Sequence, residues 1–152
     1  MICVWWDWRG LIHWEMLDSN QTVDRNLYMA QLHRVNAAIQ LKRPEKQGHV
    51  ILLHDNARPH TAKTVKAGLL ELGWEILLHP PYSPDLAPSD YHLFRALSND
   101  INNVTFDSEE GLKSWLDNFF ETRTENFWKV GINKLVERWK KVVDNDGEYI
   151  IN

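Results

Sequence analysis

Four aspartates stand where the chain changes direction. Asp7 lies in VWWDW (residues 4–8), Asp55 in HDN (54–56), and Asp85 and Asp90 in PYSPDLAPSDYHLF (81–94). Carboxylates gathered at one place repel each other unless a cation lies between them. Hard divalent ions such as Mg²⁺ take oxygen ligands and keep waters and substrate phosphate in their shell. A pair of such ions roughly 3.5–4 Å apart activates the attacking oxygen and stabilises the leaving one in phosphodiester cleavage. Each aspartate also has a plain structural use. Asp55 can end its strand with an Asx-turn, Asp7 can face solvent, and Asp85 can cap the backbone of the Ser83-Pro84-Asp85 turn. Asp90 follows Ser89 in the first turn of a helix, where the helix dipole favours an ionised carboxylate.

The elements that must hold these residues are legible in the pattern of apolar positions. ICVWWDWRGLIHWEML (2–17) reads as a β-hairpin turning at Arg9-Gly10, which puts Asp7 inside a strand. From Asp24 to Leu41, Tyr28, Leu32, Val35 and Ile39 fall at helical spacing, and KRPEKQG breaks the run. HVILLHDN (49–56) and WEILLH (74–79) read as strands buried on both faces. Between them Thr61 is placed to cap a helix carrying Val65, Leu69 and Leu72 and stopped by Gly73. A strand, helix, strand order implies a parallel crossover. If the first strand neighbours the HVILLHDN strand, Asp7 and Asp55 meet at the carboxyl edge of the sheet, where open α/β sheets place ligands.

From Ser89 onward the pattern is helical. Phe94, Leu97 and Ile101 form one face, and Leu112, Trp115, Leu116, Phe119 and Phe120 a second, preceded by Asp107 and Glu110 at capping-box spacing. Trp128, Ile132, Leu135, Val136, Trp139 and Val143 form a third, with Gly131 as a place to bend. The expected fold is therefore α/β: a ribonuclease-H-like mixed sheet, with an antiparallel hairpin plus parallel strands, flanked by helices and ending in a helical C-terminal part. One domain over 1–152 is expected, since no repeat, low-complexity stretch or interdomain linker interrupts the chain.

Composition narrows the chemistry. The net charge of −4 gives no general basic field, so contact with nucleic acid must be local or assisted. His54, Arg58, His60, Lys63 and Lys66 surround Asp55 and form a candidate basic rim; of these, Arg58, His60 and Lys63 are the candidate DNA contacts. The single cysteine excludes an intrachain disulfide or a cysteine-based zinc site, and the seven histidines lack zinc-binding spacing. No apolar run is long enough to cross a membrane. Most of the eight tryptophans are expected in the core or along element seams. Arg138, Lys140 and Lys141 read as a solvated helix face, and KRPEK is too interrupted to be a localisation signal.

HDNARPHTA (54–62), YSPDLAPSDYHLF (82–94), VWWDWRGLIHWEML (4–17) and RWKKVVDNDGEYI (138–150) together resemble the catalytic domain of mariner-family transposases. The interval between Asp55 and Asp90 holds 34 residues, 56 to 89, the spacing that defines the family's DD34D triad. The resemblance implies that Asp7, Asp55 and Asp90 are the catalytic aspartates and bind Mg²⁺ or Mn²⁺, as two ions. It also implies cut-and-paste DNA transposition, with cleavage at transposon ends and strand transfer to a TA target, in a homodimer located in the nucleus. No small-molecule cofactor and no membrane are expected. The family's helix-turn-helix DNA-binding modules are expected to be absent, because the matching region opens at Met1. Two alternatives are a non-catalytic remnant serving as a DNA-binding or dimerisation module, and the transposase part of a SET-domain fusion.

Overall fold

The computed structural model describes residues 1–46, 48–54, 60, 62–77, 79 and 83–144, the last three by backbone only. The chain forms two compact units: Met1–Trp5 with Ile12–Pro81, and Trp6–Leu11 with Tyr82–Asn152.

In the first unit, strand β1 (Ile2–Asp7) pairs with β2 (Gly10–Met16) as an antiparallel hairpin whose tip belongs to the second unit. Helix α1 (Arg25–Lys42) starts where Asp24 accepts a hydrogen bond from the Leu27 amide at 2.8 Å. Its buried face carries Tyr28, Leu32, Val35 and Ile39, the four expected residues. Those side chains pack with Ile12, Leu52, Val65, Leu69 and Trp74 into one core. Strands β3 (Ile51–Leu53) and β4 (Glu75–Leu77) pair in parallel, Leu52 opposite Ile76, with helix α2 (Lys63–Leu72) as the crossover.

Three expectations for this unit are corrected. The cap of α2 is Ala62 rather than Thr61 and offers no side-chain acceptor. Strands β3 and β4 are not buried on both faces: Leu52 enters the core, but Ile51 is 64% exposed and all of β4 is exposed. The reason is that each strand is three residues long and the α1–α2 core takes up one side only. Among the described residues the strands form two separate pairs, so no ladder joins β1 to β3.

In the second unit a 3₁₀ turn at Pro84–Leu86 leads into a π-helical turn over Ser89–Phe94. Helix α3 (Arg95–Ile101) continues it, followed by α4 (Glu109–Thr122) and α5 (Glu125–Asp144). Leu86, Leu93, Leu97, Leu116, Phe119, Phe120 and Trp128 are buried. The cap of α4 is Ser108, which accepts from the Gly111 amide at 3.1 Å, not Asp107. Helix α5 runs unbroken through Gly131, so that glycine is not a hinge. Of the tryptophans, Trp74 and Trp128 are buried, and Trp8 at the hairpin tip is 41% exposed.

Candidate active site

Asp7 ends β1, and its carboxylate turns back on the hairpin. Its Oδ1 accepts from the Arg9 amide at 2.9 Å and from the Gly10 amide at 3.1 Å. This closes the two-residue connection between the strands, as Asx side chains do in turns. Gly10 has φ +137°, a conformation open to glycine at little cost. The Trp128 ring lies 3.6 Å from where a Cβ at Gly10 would stand.

Asp90 is exposed in the first turn of the π-helical segment, where its amide bonds the Ala87 carbonyl at 2.9 Å. Contacts on both sides fix that segment. Trp6 donates its indole N–H to Ser89 Oγ at 3.0 Å, so the residues immediately before Asp7 and Asp90 are bonded to each other. Tyr91 donates its hydroxyl to the Gly131 carbonyl at 2.5 Å, and His92 Nε2 meets the Phe127 carbonyl at 2.6 Å. A carbonyl only accepts, so His92 Nε2 carries the proton. Burial pushes the His92 pKa below its ordinary value despite that bond. Burial also pushes the Tyr91 hydroxyl up to about 12, opposed by the nearby Arg138. The Arg138 guanidinium lies 4.3 Å from the Tyr91 ring centroid and donates to the Asp85 carbonyl at 3.2 Å. Asp85 sits in the 3₁₀ turn, as expected from its proline neighbours.

Asp55 and Arg58 lie outside the described residues. His54 and His60, on either side of that stretch, are described. His54 accepts or donates at Nδ1 with the Tyr28 hydroxyl at 2.8 Å and stacks on His60, with ring centroids 4.9 Å apart and 7° between planes. Tyr28 is 4.2 Å from His60. His60 is thus packed in an aromatic group rather than standing on an open rim. Lys63 and Lys66 are exposed on the first turns of α2, which has no acidic residue there. Among the described residues no group of three or more His, Cys, Asp or Glu side chains could hold a metal. The donors at issue are hard carboxylate oxygens, the type that suits Mg²⁺ and Mn²⁺. Sequence reasoning missed Trp6, Ser89, Tyr91, His92 and Gly131; their only signal was their position flanking the aspartates or within α5.

The family described as Transposase (partial DDE domain) matches residues 1–48. The chain is 49% identical to the Mariner Mos1 transposase of Drosophila mauritiana over 153 residues, 99% of this chain and 44% of that protein. It is 40% identical to the histone-lysine N-methyltransferase SETMAR of Homo sapiens, across 98% of this chain and 22% of that protein. The chain therefore spans less than half the length of either relative. The solved Mos1 transposase catalytic domain with raltegravir and Mg superposes with a TM-score of 0.94 at 48% identity, covering 99% of this chain and 76% of that one. A counterpart with Mn matches equally. The Mos1 paired-end complex with the left transposon end gives 0.95 at 49% identity, covering 99% of this chain and 44% of that one. At this level of likeness the ribonuclease-H-like α/β fold holds for this chain.

Proposed function

Because this chain belongs to the mariner family of transposases, we propose that it supplies part of a catalytic domain that cuts and joins DNA strands with divalent metal. The observation that carries this reading is the placement of Asp90. It is separated from Asp55 by 34 residues and is exposed on a turn that Trp6, Gly131 and Phe127 hold by hydrogen bonds. When bound, Mg²⁺ or Mn²⁺ activates the attacking oxygen and stabilises the leaving one. Asp7, Asp55 and Asp90, the aspartates of the family triad, would hold the metal.

Asp7 has a second role in the fold. The resemblance makes it the third ligand, but its Oδ1 closes the hairpin turn. A carboxylate has two oxygens and about four acceptor sites, so closing the turn and ligating a metal are compatible, and we keep Asp7 among the ligands.

DNA is the substrate: a transposon end for cleavage and a TA site for strand transfer. Arg58, His60 and Lys63 are the proposed phosphate contacts. The work of pairing two ends fits a homodimer, and a DNA substrate places it in the nucleus. The methyltransferase in the name of the human relative does not extend to this chain, whose match covers only 22% of that protein.

The test is nicking of a transposon-end oligonucleotide in Mg²⁺ or Mn²⁺. Asp90→Ala is expected to abolish cleavage, and Asp85→Ala to keep it. Equal activity in the two variants would overturn the assignment.

A further inference from the structure

Asp90 is followed by two side chains that reach out of their own segment. The hydroxyl of Tyr91 ends on the Gly131 carbonyl and the ring of His92 on the Phe127 carbonyl. These carbonyls are four residues apart on α5, so both anchors land on one stripe of that helix. Such a reach requires the helix to present bare backbone there, and Gly131 does so.

The space beside Gly131 is occupied. A Cβ built at that position would collide with His92 Cδ2, stand 2.9 Å from His92 Cγ and 3.0 Å from Trp6 Cη2. Both rings belong to residues close to an aspartate. Trp6 precedes Asp7 and bonds Ser89; His92 follows Asp90 by two positions. Their ring centroids are 6.4 Å apart, and Trp6 also lies 5.3 Å from Trp128. The two rings cannot both retreat, because Trp6 is bonded to Ser89 and His92 to Phe127.

We infer that Gly131 is a positioning residue for Asp90: its missing side chain lets His92, Tyr91 and Trp6 lock the π-helical turn in place. Gly131 is buried and acts through those three side chains. The inference rests on the assignment of Asp90 to metal, but its geometric part stands independently.

The experiment compares the 152-residue chain with Gly131→Ala and with Tyr91→Phe, which removes only the hydroxyl anchor and threatens folding least. Two readouts are taken once circular dichroism shows a folded variant: hydrogen exchange of the Trp6 indole N–H by NMR, and Mn²⁺ affinity by electron paramagnetic resonance. Gly131→Ala is expected to speed indole exchange at least tenfold and to weaken Mn²⁺ binding toward the level of Asp90→Ala. Tyr91→Phe is expected to move both in the same direction by a few-fold. Unchanged indole exchange in the folded variants would overturn the inference whatever the metal does. Should Gly131→Ala not fold, Tyr91→Phe decides by the same criterion. Faster exchange in a chain whose wild type binds no Mn²⁺ would uphold the positioning role and sink the metal assignment instead.

Discussion

Trp6 and Ser89, 83 residues apart in sequence, are joined by a 3.0 Å hydrogen bond from indole to hydroxyl. Each directly precedes an aspartate, so the bond ties the tip of the hairpin to the start of the helical half. A hydrogen bond of this kind contributes about 1 kcal/mol net. Trp6→Phe and Ser89→Ala should each destabilise by about that much, and the double variant by less than their sum. Urea denaturation of the four proteins checks this; strict additivity would mean that the contact carries no energy.

Asp7 offers a sharper separation. Asp7→Ala removes the acceptor for the Arg9 and Gly10 amides and should cost about 1 kcal/mol or somewhat more. Asp7→Asn keeps an acceptor oxygen and should retain stability, yet lose cleavage as Asp90→Asn does. A stable Asp7→Asn protein that still cleaves would remove Asp7 from the metal ligands.

Glu15 gives the fold a pH dependence. Arg34 grips its carboxylate through two nitrogens, Nη2 to Oε2 at 2.9 Å, and His13 adds a bond at 2.9 Å. The Arg34 guanidinium, foremost, holds the Glu15 pKa down at about 2, below its ordinary 4.5. A depressed carboxyl pKa means that the ionised form is favoured by folding. The stabilisation is therefore complete above pH 4.5 and is lost as pH falls through about 2. Arg34 is 48% exposed, so the pair's contribution is of order 1 kcal/mol at most. Glu15→Gln should lower the denaturation midpoint slightly at pH 7 and flatten the acid limb between pH 4.5 and 2.

Much of the first unit was legible in the sequence. Tyr28, Leu32, Val35 and Ile39 recur at helical spacing because one face of α1 must meet the core, and the structure buries all four. The π-helical turn at Ser89–Phe94 was not legible, because its anchors lie on a helix more than thirty residues downstream. Gly131 read as a bend for a similar reason: a sequence shows a missing side chain but not what fills the gap. The pairing of Asp55 with Asp90 came from spacing within a family pattern. At Asp7 the residue type and the family pattern pointed to a ligand, but not to the second use of its Oδ1 in closing the hairpin turn.

Lys63 is exposed at the start of α2, where a cation opposes the helix dipole and gains no local support. Lys63→Ala should leave stability nearly unchanged, weaken DNA binding uniformly across sequences and reduce the salt slope of log K by about one. Fluorescence titration from 50 to 200 mM salt checks this; an unchanged slope would remove Lys63 from the interface.

The π-helical turn has a consequence for tolerance to insertion and deletion. A π turn holds one more residue than an α turn spanning the same ladder. Deleting one residue between Tyr91 and Phe94 would let the ladder close as ordinary α-helix with no break in the chain. Asp90 would then keep nearly its direction around the axis relative to Arg95–Ile101, because one α turn replaces one wider turn. Such a deletion would instead take away His92 with its bond to the Phe127 carbonyl, or the buried Leu93, so its cost falls on the anchoring of the turn and not on the direction of the helix.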